Sequence, residues 1–365
     1  MVIYIVAPAR VYTGGPTALF QLCRELRANG IDTAMAFYGD VFMDPVHPNY
    51  KKYHCSWIVL SSVKDDENSV LIAPETAVDK MHRFRKAKRI IYWLAVDNYV
   101  LSLYKPSKID FISYFIRNNL FDLHNIVNAF ATKNIQVYYI AFAAKYVKLL
   151  IDSGKISIPK ADLHIAQSMY AKEFLLSHSI DNNDIMLLRE PLEEEFLDIA
   201  NIVKRDTKSN VIAWNSRKAY PVALKLVNIL RKHGYTVLEL KNVGKEKMIK
   251  ILLKSKVFID VGIHPGRDRP PREAIALDNI AIVNNHGGCY HYMDCMVPTE
   301  FKWNCYFDCD INYNKHVEDI EHYLENYEYY IKRFQNAKQS VLSEPQVYKD
   351  DLKHLIKRLS EVISG

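Results

Sequence analysis

The chain has 365 residues, of which 49% are hydrophobic and 25% are charged, so it is a globular protein and not a disordered one. Its net charge of +6 is too small to argue for a nucleic-acid partner. No stretch approaches the roughly 18 apolar residues of a membrane span, and the length predicts two domains.

The N-terminal sequence MVIYIVAPAR passes directly into an apolar strand, without the basic segment that opens a secretory signal. We therefore expect a cytoplasmic protein whose six cysteines are free thiols. The cysteines form no CxxC pair with a metal-ligand spacing, so the sequence predicts no metal site.

The first part of the chain alternates predicted strands and helices, which is typical of a parallel α/β sheet. A strand at 2–7 is followed by Gly14-Gly15 and by a helix that begins near Pro16. This order lacks the full GxGxxG of a dinucleotide fold, so a nicotinamide cofactor is disfavoured. Further elements are predicted as strands at 31–37, 56–60, 70–72, 89–94, 163–166 and 185–188, and as a basic helix at 80–88.

Two acidic residues follow predicted strands of this first part. Glu75 comes after the strand at 70–72, and Asp97 comes after the strand at 89–94. Because ligands of open α/β sheets bind at the carboxyl ends of the strands, both carboxylates are candidate general bases. Each of them would equally well cap a helix.

Residues 101–160 differ from their surroundings in composition. They carry eight basic and three acidic side chains and are dense in Phe and Tyr. Basic aromatic segments of this kind lie on anionic membrane surfaces or hold lipid-linked substrates. The alternative is an ordinary helical insertion whose aromatic side chains form a core.

A second α/β unit is predicted after a polar connection at 190–208. Its first strand, at 211–214, is followed by Asn215-Ser216-Arg217-Lys218. The remaining elements are predicted as helices at 221–233 and 245–255, strands at 235–240, 257–261 and 280–283, and long helices at 317–335 and 348–363. The last helix is long enough to pack back on the first domain.

The loop after the strand at 257–261 contains Arg267, Arg269 and Arg272, close to a helix that is predicted to begin at Pro271. Guanidinium groups beside a helix N-terminus favour a ligand with several negative charges. The alternative is a solvated basic loop.

The order of these motifs resembles that of GT-B nucleotide-sugar glycosyltransferases. Gly14-Gly15-Pro16 is similar to their glycine loop, and Asn215-Ser216-Arg217-Lys218 looks like the basic pair on the donor diphosphate. Pro271-Arg272-Glu273-Ala274 looks like the donor motif whose Glu binds ribose, and Gly287-Gly288 looks like the glycine turn beyond it. The segments PETAVDKMHRFRKAKRIIYWLAVDNY, HIAQSMYAKEFL and HPGRDRPPREA resemble bacterial surface-polysaccharide enzymes, so the likeness covers most of the chain outside 101–160.

The resemblance implies an α/β protein with two doubly wound Rossmann-like domains facing a central cleft. Residues 1–190 would form the acceptor-side domain with 101–160 as an insertion, 191–345 the donor domain, and 346–365 a helix that crosses back. The ligands would be a nucleotide-sugar donor and a glycan or lipid-linked acceptor, with no cofactor. The implied donor-binding residues are Gly14, Gly15, Asn215, Arg217, Lys218, Arg267, Arg272, Glu273, Gly287 and Gly288.

One departure from the family pattern concerns the reaction. Retaining members carry two glutamates with seven residues between them, but the position that matches the first one is Pro265. The role beside the sugar would then pass to His264 or Asp268, or the stereochemistry differs. As general base, Asp97 is the first choice and Glu75 the second. The alternatives are a nucleotide-sugar epimerase on the same fold and a non-catalytic glycan- or membrane-binding protein with a degenerate site.

Overall fold

The computed structural model describes residues 2–104, 107, 109–113, 135–218, 221–305 and 312–364. Parts of the basic aromatic stretch, at 105–106, 108 and 114–134, therefore lie outside the described residues. The chain divides into two compact units. The first unit comprises Met1–Tyr99, Ile156–Pro191 and Pro345–Gly365, and the second comprises Val100–Lys155 and Leu192–Glu344.

The first unit is built on a parallel sheet with the order β3-β2-β1-β4-β5-β6-β7. Its strands are β1 (Val2–Pro8), β2 (Thr33–Tyr38), β3 (Trp57–Val59), β4 (Ser69–Pro74), β5 (Lys88–Trp93), β6 (Leu163–Ala166) and β7 (Ile185–Leu187). The central strands are apolar runs because helices cover both faces of such a sheet. The order reverses between β1 and β4, which makes their carboxyl ends the expected ligand-binding edge.

The second unit has a parallel sheet with the order β12-β11-β10-β8-β9. Its strands are β8 (Ser209–Trp214), β9 (Thr236–Glu239), β10 (Ser255–Asp260), β11 (Ile280–Asn284) and β12 (Lys302–Trp303). Here the order reverses between β8 and β10. The predicted pair of doubly wound sheets is thus confirmed.

Helices lie between many of the successive strands, and the last four follow β12. They are α1 (Gly14–Ala28), α2 (Val96–Leu103), α3 (Ile135–Asp152), α4 (Met169–Ser177), α5 (Glu194–Ile202), α6 (Pro221–Lys232), α7 (Lys245–Lys254), α8 (Arg269–Ala276), α9 (Tyr292–Cys295), α10 (Tyr313–Glu325), α11 (Tyr327–Ile331), α12 (Gln335–Leu342) and α13 (Glu344–Ser364). In the described part of the chain, no helix is both long enough and apolar enough to cross a bilayer.

The C-terminal helix α13 belongs to the core of the first unit, as predicted. Its side chains of Tyr348, Leu352, Leu355 and Leu359 are buried in the same cluster as Ile3 of β1. Each buried leucine contributes about 2 kcal/mol of hydrophobic stabilisation. The last helix therefore packs as part of the hydrophobic core of the first unit.

The helix predicted at 80–88 is wrong. A 3-10 helix spans Glu75–Met81, and the chain then turns into β5. The carboxylate of Asp65 accepts the backbone N–H groups of Arg85, Lys86 and Ala87 at 2.9, 2.8 and 3.0 Å. These three bonds fix a turn in which the helical pattern of backbone bonds is impossible.

Other differences concern the second unit. The helix predicted at 317–335 is broken at Asn326, whose Nδ2 donates to the carbonyl of His322 at 3.1 Å. The predicted connection at 190–208 contains α5, which buries Phe196 in the core. The described part of 100–155 groups with the second unit, where α3 contacts α6, although the sequence places 101–160 in the first domain.

Candidate functional site

Polar side chains of the second unit meet at the carboxyl ends of β8 and β10, where the strand order reverses. Asn215 follows β8, and its Nδ2 donates to Asp260 Oδ2 at 3.0 Å. Lys218, three residues later, places its Nζ 2.7 Å from Asp268 Oδ1. His264 lies on the other side of this carboxylate, with Nδ1 2.9 Å from Asp268 Oδ2. The loops after the two strands are therefore joined by a continuous polar network.

His264 is wholly buried and acts as the fixed centre of this network. Its Nε2 lies 3.1 Å from the carbonyl oxygen of Asp260, so both ring nitrogens face acceptors. Only the doubly protonated imidazolium satisfies both. Burial by itself would lower the pKa of His264, but the hydrogen bond to Asp268 and the charge of Asp260 raise it.

Asp268 is ionised in this setting. Burial alone would raise its pKa, but the charges of Lys218 and His264 and their hydrogen bonds lower it to about 2. The pKa of Lys218 is raised in turn, since the attraction of Asp268 outweighs the effect of burial. The side chain of Lys218 is 32% exposed, so this cation is accessible to a ligand.

Arg217 is exposed at the same edge of the sheet. Its backbone N–H donates to Asn215 Oδ1 at 3.3 Å, which holds the first turn of the loop after β8. Arg217 and Lys218 therefore provide two accessible cations at the predicted position.

Arg267 and Arg272 lie in a different environment from the one that the sequence predicts. Arg272 is wholly buried, and its Nη1 donates to both carboxylate oxygens of Glu344 at 2.8 Å. Arg267 Nη2 donates to Glu344 Oε1 at 2.8 Å. Both guanidinium groups thus bind a protein carboxylate, which is a structural role. Arg269 lies nearer the surface, and its Nη1 is 3.8 Å from Glu193 Oε1.

Glu273 is placed on α8 with 6% of its surface exposed. In the part of the chain that the structure describes, no hydrogen bond to its carboxylate is found. Burial raises its pKa to about 7, although the neighbouring charges of Arg269 and Arg272 oppose this. A carboxyl group held in this way has both oxygens available to accept hydroxyl donors of a ligand.

Gly287 and Gly288 follow β11 and pack against the loop after β10. Gly287 has a φ of +56°, and a Cβ there would lie 2.1 Å from the carbonyl oxygen of His264. A Cβ on Gly288 would lie 1.9 Å from the carbonyl oxygen of Gly266. The Gly288 N–H donates to the His264 carbonyl at 2.8 Å. The two glycines are therefore required by backbone packing, which fixes the loop that carries His264.

The remaining predicted residues belong to the first unit. Gly14 and Gly15 begin α1 after β1. Glu75 is 3% exposed and accepts the backbone N–H of Leu94 at 2.7 Å, and its burial raises its pKa to about 7. Asp97 is 2% exposed and accepts the hydroxyl of Tyr170 at 2.7 Å. Glu75 and Asp97 are therefore both buried and hydrogen-bonded within the first unit.

Two residues of the second-unit network were missed by sequence reasoning. Asp260 ends β10, and its place at the end of a buried strand was a usable signal. Glu344 lies 72 and 77 residues from its two arginine partners, and no local pattern marks it. Among the described residues, no three His, Cys, Asp or Glu side chains are placed to hold a metal ion.

Two parallel α/β sheets, each with polar loops at its switch point, define the GT-B class of fold. No protein-family model matches the chain, and no curated protein matches it significantly. Solved structures do match it over nearly its whole length, as follows.

HepE from Anabaena, solved in complex with UDP and glucose, has a TM-score of 0.59 at 11% identity, covering 99% of this chain and 100% of that one. Sucrose-phosphate synthase from Thermosynechococcus elongatus gives 0.60 at 11% identity, covering 99% of both chains. The lipopolysaccharide outer core galactosyltransferase WaaB in its apo form gives 0.52 at 10% identity, covering 98% and 99%. The chain therefore has the fold of GT-B nucleotide-sugar glycosyltransferases.

Proposed function

We propose that this protein transfers a sugar from a nucleotide-diphosphate sugar to a glycan or lipid-linked acceptor in surface polysaccharide synthesis. The observation that carries the proposal is that the second unit of a GT-B fold holds both the accessible cation of Lys218 and the buried carboxyl group of Glu273. The likeness to HepE, which was solved with UDP and glucose, supports a nucleotide-sugar donor.

In this proposal, Lys218 and Arg217 bind the diphosphate of the donor. Negative charge develops on the diphosphate as the bond to the sugar breaks, and a positioned cation stabilises that charge. One such interaction contributes about 3 kcal/mol in the transition state. Asp268 holds Lys218 at 2.7 Å and so orients the cation before the ligand arrives.

Glu273 would accept two hydroxyl groups of the ribose. Its pKa is raised to about 7 by burial. Two hydroxyl donors would stabilise the ionised form, so donor binding would lower this pKa. Arg267 and Arg272 bind Glu344, so they would act on the donor only indirectly.

The acceptor hydroxyl needs a general base if the reaction inverts the anomeric centre. We keep Asp97 and Glu75 as the candidates. The raised pKa of Glu75, about 7, suits a base that works near neutral pH. His264 and Asp268 remain the candidates for the position beside the sugar. His264 is wholly buried, so it would act through Asp268.

We further propose that the protein works in the cytoplasm, at the inner face of the membrane, through 101–160. Among the described residues of this stretch, Leu103, Ile109, Ile112 and Leu149 are exposed apolar side chains. A variant with Lys145→Gln and Lys148→Gln should float less well with anionic liposomes than the wild type. Unchanged flotation would count against this membrane contact.

The donor is tested by thermal shift of the full chain with UDP, GDP, CMP and dTDP. A ligand at 100 times its dissociation constant adds about 2.7 kcal/mol of stability. Glu273→Ala should reduce the shift, and Lys80→Ala should not, because Lys80 is a surface residue paired with Asp79. A wild-type protein that no nucleotide stabilises would refute the donor site.

The reaction is then tested by nucleotide release from donor sugars, with and without a crude acceptor extract. Release that depends on the extract supports transfer. Conversion of the donor to its epimer without acceptor would identify the epimerase alternative. Nucleotide binding without any turnover would favour the non-catalytic alternative.

A further inference from the structure

The carboxylate of Glu344 joins three segments of the second unit. Arg272 Nη1 donates to both of its oxygens at 2.8 Å, and Arg267 Nη2 donates to Oε1 at 2.8 Å. The backbone N–H of Leu192 donates to Oε2 at 3.0 Å. Glu344 is 1% exposed, so all four bonds form away from water.

The two arginines connect this carboxylate to the candidate donor site. Arg267 immediately precedes Asp268, which binds Lys218 and His264. Arg272 immediately precedes Glu273, and its Nε donates to the carbonyl oxygen of Asp268 at 3.2 Å. A continuous chain of contacts thus runs from Glu344 through Arg272 to the backbone of Asp268.

The position of Glu344 in the chain adds a second constraint. Leu192 is the residue at which the chain enters the second unit after Pro191, and Glu344 is the residue at which it leaves. The carboxylate of Glu344 therefore holds both ends of Leu192–Glu344 close together. Through Arg267 and Arg272 it also holds the loop after β10. Arginines are suited to this task because their planar fork binds a carboxylate in a defined orientation.

We propose that Glu344 is a positioning residue of the nucleotide-sugar site. By holding Arg267 and Arg272 inside the protein, it sets the loop that presents Asp268 to Lys218 and the helix that presents Glu273. The inference rests on the proposed function for the identity of the ligand. Without Glu344, two buried guanidinium groups lose the carboxylate that both of them bind, and we expect the loop to rearrange.

A carboxylate with a purely structural role would behave differently. Its loss would lower the stability of the protein and leave the affinity of the folded protein for nucleotide unchanged. Asp351 provides the matched control on the same helix, because its oxygens accept Arg189 Nε and Nη2 at 2.9 and 2.8 Å. This pair is mostly buried and belongs to the first unit.

The test compares Glu344→Gln and Asp351→Asn with the wild type, as full chains, at a temperature at which all are folded. Backbone hydrogen exchange without ligand should be about tenfold faster at 262–273 in Glu344→Gln, and unchanged there in Asp351→Asn. The dissociation constant of UDP, or of whichever of GDP, CMP and dTDP binds better, should rise about tenfold in Glu344→Gln alone. Glu344→Asp, which keeps the charge, should recover part of both effects and replaces Glu344→Gln if that variant does not fold.

Wild-type exchange at 262–273 in Glu344→Gln would overturn the proposal, and so would faster exchange with an unchanged dissociation constant. A wild type that binds none of the four nucleotides would refute the proposed function instead. In that case hydrogen exchange, which needs no ligand, still decides whether Glu344 positions the loop.

Discussion

Lys218 Nζ lies 2.7 Å from Asp268 Oδ1, so the loop after β8 and the loop after β10 are joined by an ion pair at the switch point of the second sheet. The pair is asymmetric in exposure, since the lysine side chain is 32% exposed and the aspartate 11%. The ammonium group of Lys218 is therefore accessible to a ligand, and the more buried carboxylate of Asp268 fixes its orientation.

Lys218→Ala should weaken nucleotide binding, because it removes the accessible cation of this pair. We expect a loss of about 2 kcal/mol of binding free energy, which is within the range for a hydrogen bond to a charged group. Isothermal titration with the nucleotide that stabilises the wild type measures it. Lys80→Ala, which breaks an exposed pair with Asp79, should bind as the wild type does. If both variants bound the nucleotide equally well, Lys218 would not be a donor-binding residue.

Asp268 should make the free energy of unfolding fall at acidic pH. Its pKa is lowered to about 2 in the folded protein from the ordinary 3.8. A depressed carboxyl pKa contributes stability above the unfolded pKa, and this contribution disappears as the pH falls toward 2. The difference in unfolding free energy between the wild type and Asp268→Asn should therefore be about 2 kcal/mol at pH 7 and shrink steadily below pH 4. Urea unfolding at pH 7, 4 and 3 measures this difference, and a constant value would contradict the prediction.

Glu75 should have the opposite pH dependence. Burial raises its pKa from 4.5 to about 7, so the folded protein binds this proton more tightly than the unfolded chain does. The resulting stability is complete below pH 4.5 and is lost as the pH rises through 7. Glu75→Gln should flatten the fall in melting temperature between pH 5 and pH 8. If Glu75 is the base, the same variant should lose transfer activity while keeping nucleotide affinity. If the melting temperature of Glu75→Gln depended on pH as that of the wild type does, the prediction would be wrong, and Glu75 would have an ordinary pKa in a more polar environment.

Gly288→Ala should disturb the loop after β10 through a steric effect alone. Its Cβ would lie 1.9 Å from the carbonyl oxygen of Gly266, so one of the two backbones has to move. We expect destabilisation of about 1–3 kcal/mol, as for other overpacked sites. Gly244→Ala is the control in the same unit, since nothing lies within 4 Å of a Cβ there. Thermal unfolding should show a lower melting temperature for Gly288→Ala than for Gly244→Ala. Equal melting temperatures would point to a general effect of replacing glycine and not to close packing at Gly288.

The sequence was sufficient for features that depend on local pattern. Apolar runs located β1, β4, β5, β8, β10 and β11, and the end of each run located the polar loops. Ser168 caps α4 through its Oγ, which accepts the N–H of Ala171 at 3.0 Å, and serine is one of the residues that favour this position. These features are decided by neighbouring residues, so a single sequence records them.

Features that depend on distant partners were not predictable in the same way. Arg267 and Arg272 are basic residues near a helix start, which describes an anion site as well as it describes a buried pair with a distant carboxylate. The helix predicted at 80–88 failed because Asp65, about twenty residues earlier, takes its backbone donors. In both cases a tertiary contact overrides the local preference.

The membership of α13 in the core of the first unit has a consequence for biosynthesis. Tyr348, Leu352, Leu355 and Leu359 are made only after all of Leu192–Glu344 has been translated. Until they leave the ribosome, the apolar surface that they cover around β1 and α1 is open to water. The N-terminal unit is therefore completed last, the reverse of the usual order in which domains fold during synthesis.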